Sequence, residues 1–521
     1  MRAGRNAFYR FGRLLIALIL FAAIDPILAA PALAADAVVS GACGESEFDS
    51  ALSNVQTSGG GTITFTCGNS PFYLLFSSQK TISSAVTIDG GGLAILSGQN
   101  STRLFYVNGG ASLTLLNITV RNGNGSGGDG GAIDNRGSLT VDNSKFLYNT
   151  TVPTYSGGAI VSYGPLTIQN NSEFGYNEGG GGGAVYPRWG AAVTNISDSS
   201  FHHNQAKSSS AGWGGALLAW DGPKVTIQNS SFDQNWASKG GGGLYILANS
   251  SLAMKDSSLT TNQSNGNGGA LYIQGSANIT DTLIANNFAV DYGGGLHNDG
   301  TTTFVHSTIS NNTGFYAGGG LSNSGTGNLT LIRSSIANNY GYTDGGGVSA
   351  SGVVTILNSQ LIGNRNQYYG GAITASGVVN VNFSTIIDLE NASSPSWAVY
   401  NYSGYTLNIK NSIIRAETND CGGPITSQGF NIASDGTCSL SQPSDKTYTN
   451  AQLGMWQDAN GAVWYTLPLP GSPAVDSGQC SGVTTDLRGA SRPMGAACDR
   501  GALERNGTDP SAYVYMPLLK R

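Results

Sequence analysis

Charge is scarce in this sequence. Asp, Glu, Lys and Arg make up 11% of its residues, against roughly 25% in ordinary soluble domains. Amphipathic helices need a charged outer face, so they are excluded as the main building block. The net charge of −6 is spread thinly, and beyond the N-terminus no basic run exists to meet a phosphate backbone, so a nucleic-acid partner is excluded. Histidine occurs only at His202, His203, His297 and His306, and no cysteine lies between 68 and 420. CxxC-type spacing is absent, and no metal or cofactor is expected. Long apolar runs are missing too. The longest, Leu14–Ile24, is cut by Asp25 and Pro26, well short of the ~20 residues a membrane-spanning helix needs.

That short run has a different meaning. Arg2, Arg5, Arg10 and Arg13 precede it and Ala32-Leu33-Ala34 follows, the order of a secretory leader. Residues 1–35 are read as that leader, so the mature chain is expected outside the cell or on its surface, with no transmembrane segment. The six cysteines suit this destination. In a stacked chain only sequence neighbours meet, which favours Cys43–Cys67, Cys421–Cys438 and Cys480–Cys498 as disulfides.

What is abundant is glycine, 76 of 521 residues, with hydrophobic content at 40%, too high for disorder. The glycines are periodic. A GG[AG]-aliphatic motif ends at Ile133, Ile160, Val185, Leu217, Leu244, Leu271, Leu296, Leu321, Val348 and Ile373. A second motif, an apolar residue, any two residues and then Asn, ends at Asn149, Asn177, Asn204, Asn235, Asn262, Asn287, Asn312, Asn339 and Asn364. The two series keep phase, including one long step before Leu217 and Asn235. Between them lie alternating segments such as GSLTVDNS (137–144) and GVVTILNS (352–359), the period of a strand with one buried face.

Each coil therefore reads as strand, turn, strand, turn, with glycine at the corners. Coils without helices stack their strands in parallel, and such connections are right-handed. The fold class is all-β: a single-stranded right-handed parallel β-helix, a pectate-lyase-like solenoid. The aliphatic series predicts an internal column, and the Asn series predicts an amide ladder. Phe48, Leu52 and Val55 at i, i+4, i+7 predict a short helix capping the N-terminal end. The expected organisation is a leader at 1–35, an N-terminal cap at 36–58, the β-helix at 59–440, a small C-terminal cap at 441–505 and a tail at 506–521.

The GGA[IVL] and FxxN pair resembles the repeats of chlamydial polymorphic outer-membrane proteins, which are surface adhesins. TIDGGGLAILSG, LFYVNGGASLTLLNITVRNG and the terminal block SPAVDSG…TDLRGASRP…CDRGALE (472–504) are similar, over nearly the whole mature chain, to exported bacterial β-helix proteins with a choice-of-anchor C-terminal region. Ser472-Pro473-Ala474, Asp476 and Asp486 to Pro493 carry that likeness. GACGESEFDSAL stands where the family has a CSLREA-like motif, and YVYMPLLKR (513–521) is too short to cross a bilayer. The resemblance implies a surface or extracellular location and leaves the biochemical role undefined.

Catalytic strings are not present. NTD, DD, GHG and RIK of polygalacturonase-like enzymes do not occur, and Asn408–Lys410 is the nearest approach. A polar stripe precedes the Asn series: Asn143, Asn171, Asp198, Asn229, Asp256, Asp281, His306, Arg333 and Asn358. Stacking makes Asp256, Asp281, His306 and Arg333 vertical neighbours, which can be a cation or sugar site or, as the simpler reading, a turn-capping ladder. GGDGG (127–131) resembles a calcium-repeat turn, but no nonapeptides follow, and Ca²⁺ has no other support. A second stripe is aromatic: Tyr155, Trp213, Trp236, Phe288, Tyr292, Phe315, Tyr316, Tyr340, Tyr342, Tyr368 and Tyr369. As a ridge it would suit stacking on sugar rings or docking a partner; otherwise it covers the glycine corners.

The sequence thus points to a monomeric, non-catalytic, secreted or surface-attached β-helix that acts in adhesion or polysaccharide binding, with a cell-surface glycan or protein as partner. A polysaccharide lyase or glycoside hydrolase and a structural cell-envelope spacer are the alternatives.

Overall fold

The computed structural model describes residues 34–506 except 126, 190–192, 389–396, 455–456 and 460–462. Residues 1–33 of the segment expected to be a leader (1–35) and the YVYMPLLKR tail (513–521) lie outside the described residues. The chain winds into a right-handed parallel β-helix of about 14 turns. Among the described residues three long parallel sheets run its length: sheet A with 16 strands, sheet B with 15 and sheet C with 14, joined by a narrow fourth sheet D of 8 two-residue strands. In one coil the chain passes through sheet C (Ile133–Asn135), sheet A (Ser138–Asp142) and sheet B (Lys145–Leu147). Later coils add sheet D, as at Glu178–Gly179, before the glycine pair returns the chain to sheet C.

The aliphatic column exists as the periodicity predicts. Ile133 pairs with Ile160, Ile160 with Val185, and the register continues through Leu244, Leu271, Leu296, Leu321, Val348 and Ile373, all fully buried. The glycine pairs have separate causes. Gly241 sits at φ +63°, and a Cβ on Gly242 would strike the Gly269 carbonyl of the next coil, so the first glycine serves the backbone angle and the second the close approach. Beside the column, Phe146, Phe174, Phe201 and Phe232 stack face to face with successive centroids 4.8 Å apart.

The amide ladder is continuous. Each Asn from 149 to 339 donates from Nδ2 to the Oδ1 of the Asn one coil on, at 2.9–3.0 Å. The same Oδ1 accepts the backbone N–H of that donor residue, as Asn235 Oδ1 does from Asn204. The second Nδ2 proton goes to a carbonyl of the preceding coil, such as Phe201 O for Asn235. Both ends of these buried amides are therefore satisfied, which is the condition for polar groups in a core.

A second ladder was not legible in the sequence. Ser230 Oγ accepts the Ser199 N–H, Ser257 Oγ accepts that of Ser230, and the pattern recurs at Ser307, Ser334, Ser359, Ser384 and Ser412. Each hydroxyl donates in turn to the carbonyl two residues earlier, as Ser230 does to Gln228.

Helix α1 (Glu45–Thr57) covers the N-terminal end. It buries Phe48, Ala51, Leu52 and Val55, and the Phe48 ring meets Phe76 at 5.1 Å. Lys80 of the coil below reaches Glu45 at 2.6 Å and Asp49 at 2.7 Å. Cys43 is bonded to Cys67, Cys421 to Cys438 and Cys480 to Cys498. No helix among the described residues is long and apolar enough to cross a membrane.

The C-terminal segment does more than close an end. Lys446 adds a partial rung beside Ile432, and residues 466–505 then run back along the side of the last coils. Thr466 exchanges two hydrogen bonds with Gln360, Asn358 donates to Thr485 O at 2.7 Å, Asn411 pairs with Gln479, and Ala502 N–H donates to Thr385 Oγ1. Inside this block Arg492 is buried. It donates to the Glu504 carboxylate and to the carbonyls of Asp499 and Gly501, and its guanidinium lies 4.3 Å from the Phe383 ring. Asp486 accepts the N–H groups of Arg488, Ala490 and Glu504. The TDLRGASRP and CDRGALE strings are thus the two halves of one interlocked latch.

Candidate functional site

Two faces carry chemistry. The first is the turn between sheets A and B. Its column residues all take left-handed backbone, with φ 45° at Asn143, 61° at Asn171 and 48–50° at Asp256, Asp281, His306, Arg333 and Asn358. Asn and Asp are the residues that tolerate this conformation best, which is why the sequence supplies them. Their side chains do not cap local backbone as the simpler reading expects. They bond from coil to coil: Asn143 to Asn117 at 2.6 Å, Asn229 to Asp198 at 2.5 Å, and His306 Nδ1 to Asp281 Oδ1 at 2.6 Å. Asp256 instead approaches Lys255 at 3.5 Å.

The four residues read as a polar site are divided. Asp256 and Asp281 line an open groove of about 600 Å³ with Asn171, Asp198, Asn229 and the serines beneath them. His306 pairs with Asp281 at its edge. Arg333 belongs to the latch, donating to Leu487 O at 3.4 Å. The GGDGG turn is likewise taken up by protein: Asp129 accepts the Ser156 N–H at 2.6 Å and faces Arg188 at 3.7 Å.

The second face is the outside of sheet C. The middle residue of each three-residue strand points outward, and several of these are large: Tyr186, Leu218, Tyr245, Tyr272 and His297. Tyr186, Leu218 and Tyr245 form a separate buried cluster with Val161, flanked by Trp213 and Trp220 from the coil corners. From Trp220 the rings touch in an unbroken sequence. Trp220 meets Trp213 at 5.6 Å, Trp213 meets Tyr245 at 5.5 Å, Tyr245 meets Tyr272 at 4.6 Å, and Tyr272 meets His297 at 4.8 Å. The series continues through Tyr292 (6.1 Å), Tyr316 (6.0 Å), Phe315 (5.9 Å), Tyr342 (5.4 Å) and Tyr368 (5.9 Å). Tyr292, Phe315, Tyr316 and Tyr368 are 44–49% exposed.

The aromatic list read from the sequence is therefore only partly one surface. Trp236, Phe288 and Tyr340 sit in sheet D in register with Gln263, Thr313 and Arg365. They fall on alternate coils, about 10 Å apart at the usual strand spacing, and form no ridge. Tyr369 turns instead to Tyr400 and Tyr402. Tyr245, Tyr272 and His297 were missed, although each follows a GG[AG]-aliphatic motif by one residue and alternation alone puts it outside.

At the middle of the band lies a polar knot. His297 Nε2 is 3.1 Å from Asp299 Oδ1, the Tyr272 hydroxyl donates to Asp299 Oδ2 at 2.6 Å, and His297 Nδ1 is 3.3 Å from Ser322 Oγ. Burial pushes the Asp299 carboxyl up, but the hydrogen bonds from His297 and Tyr272 outweigh it and hold the group below its ordinary range. Burial and the Asp299 carboxylate push the Tyr272 hydroxyl up to about 12.

No curated protein sequence matches this chain. Among solved structures, the periplasmic alginate epimerase AlgG is similar over 60% of this chain and 77% of its own, at 10% identity and TM-score 0.40. The pectate lyase Pel9A covers 88% and 91% at 15% identity and TM-score 0.24. The A-module of the Azotobacter vinelandii mannuronan C-5 epimerase AlgE6 covers 76% and 95% at 12% identity and TM-score 0.31. At these scores the likenesses carry no argument about this chain. Residues 133–313 match the family model described as the right handed beta helix region, a stretch that includes the groove and the aromatic band as far as His297.

Proposed function

We propose that this chain is an exported polysaccharide-binding β-helix that holds an extended glycan against the outside of sheet C without cleaving it. The observation that carries this is the unbroken ring-to-ring series from Trp220 to Tyr368, whose outer members leave nearly half their surface to solvent. Over its seven coils the band spans roughly 30 Å at the strand spacing, a length that fits a chain of several sugars. Aromatic faces offer apolar area to the C–H faces of pyranose rings, while Tyr hydroxyls meet the ring hydroxyls. The three disulfides support an oxidising destination.

Affinity electrophoresis against a panel of neutral and acidic polysaccharides tests this. Retardation by at least one polysaccharide is expected, and Phe315→Ala with Tyr316→Ala should weaken it about tenfold, as loss of two stacking rings predicts. Equal retardation of the double variant, or none by any polysaccharide, overturns the proposal and leaves the envelope-spacer reading.

One observation favours a second reading, a polysaccharide lyase or hydrolase. The His297–Asp299–Tyr272 knot sits on the band, and an imidazole held by a carboxylate can act as a general base. Depolymerisation of a bound glycan, lost in His297→Gln while binding persists, would replace the non-catalytic assignment.

A further inference from the structure

His202 and His203 lie on another face, at the turn between sheets B and D, and neither the aromatic band nor the polar groove uses them. We propose that this pair is a binding site for a borderline divalent transition metal, Cu²⁺ first. His202 ends the strand Ser200–His202, with Phe201 pointing into the core and His202 pointing out. His203 follows in left-handed backbone at φ 54°. That turn column holds Tyr176 and Gln234 in the adjacent coils and Asn286, Asn311 and Asn338 in later ones, all in the same conformation, which His also tolerates better than most residues.

The two Nδ1 atoms converge to 3.2 Å, with the rings almost perpendicular. A metal at about 2.1 Å from each nitrogen would subtend about 100° between them, within the range of tetrahedral and square geometries. The surroundings fix the donor atoms in advance. His202 Nε2 is 3.1 Å from Glu173 Oε1, and Glu173 is itself held by Lys145 at 2.7 Å. A proton kept on Nε2 by that carboxylate leaves the Nδ1 lone pair free, the arrangement that positions metal-bound histidines. Gly175 leaves room for this position of the imidazole: a Cβ there would come within 2.5 Å of His202 Cε1. Tyr176 stacks on the outer side of His203 at 4.7 Å.

Among the described residues no three His, Cys, Asp or Glu side chains gather round one point. The protein thus supplies two nitrogen donors, and water or an oxygen of an exogenous ligand completes the shell. Two imidazoles favour Cu²⁺ over Ni²⁺ and Zn²⁺ and discriminate against Ca²⁺ and Mg²⁺, which prefer oxygen.

Calorimetric titration of the full chain with CuCl₂, NiCl₂ and ZnCl₂, followed by electron paramagnetic resonance of the Cu²⁺ form, tests the site. One Cu²⁺ per chain with coupling to two nitrogens is expected, bound more tightly than Ni²⁺ or Zn²⁺. His203→Asn and His202→Thr place at these positions residue types that later coils carry, Asn286 and Thr260, so folding is preserved. Each should weaken Cu²⁺ at least tenfold, and Glu173→Gln about tenfold, while His306→Asn should leave binding unchanged. Absence of Cu²⁺ binding, or retention of the same affinity and nitrogen coupling in His203→Asn, overturns the proposal and leaves a histidine–histidine hydrogen bond.

Discussion

The turn column between sheets A and B passes through two halves of the solenoid with one backbone geometry and two environments. From Asn171 to Asp281 it faces solvent and lines the groove, with Asn229 bonded to Asp198 and Asp281 to His306. From Arg333 to Asn411 the same positions hold the returning C-terminal latch through Leu487, Thr485 and Gln479. The repeat thus fixes the conformation of a position but not its use. Use is decided by what else the chain brings alongside.

The largest test of this difference is Arg492→Ala. It leaves the Glu504 carboxylate buried without its partner, a loss of about 3–5 kcal/mol for a broken buried pair. Hydrogen exchange should then show lost protection in the latch and in the coils around Asn358 and Asn411, with the coils around Asn229 unchanged. Loss in both halves alike would mean that the solenoid melts as one unit and that the contrast has no energetic content.

Acidity should act in the same place with a smaller effect. Burial, joined by the Glu504 and Asp476 carboxylates, pushes the Asp499 carboxyl up to about 7, against the lowering effect of the Asp476 and Arg505 N–H groups. A raised folded-state pKa means stability that is complete below the unfolded value near 4 and is lost as pH rises through 7. Burial raises Glu504 as well, with the same sign. The latch should therefore be tighter at pH 5 than at pH 8, by on the order of 3 kcal/mol, as read by latch protection or thermal unfolding. Asp499→Asn should flatten that dependence.

The smallest test compares two equivalent asparagines. Glycine tolerates left-handed backbone, so Asn358→Gly and Asn229→Gly remove side chains without adding backbone strain. Asn358→Gly forfeits the bond to Thr485 O and should cost about 1 kcal/mol, whereas Asn229→Gly should stay within about 0.5 kcal/mol. Equal costs would show that the latch bond adds nothing.

The same division explains what could be read in advance. Glycine pairs, the aliphatic series and Asn204, Asn235 and Asn262 repeat with the coil, and each is legible because one physical constraint recurs at every turn. The Ser230–Ser257 ladder recurs equally but hides among the many serines of a charge-poor surface. The aromatic band was half legible. Corner rings such as Tyr316 stand out in the sequence, while Tyr272 and His297 are masked by the aliphatic residue of the repeat motif just before them. The latch was legible only as a separate terminal block at 472–504; its contacts back to the coils were not, since they join residues 106 and 154 positions apart and nothing in a 25-residue period encodes them.

The latch also limits how the molecule can change in length. A whole coil inserted near Asn229 or Asn262 would extend the Asn ladder by one rung and disturb no distant contact, so the shaft can lengthen in whole steps. Insertion between Arg333 and Asn411 would move Asn358 away from Thr485 or Asn411 away from Gln479, because the returning strap has a fixed span. The free half of the solenoid is thus open to duplication and deletion, and the strapped half is held to its present number of turns.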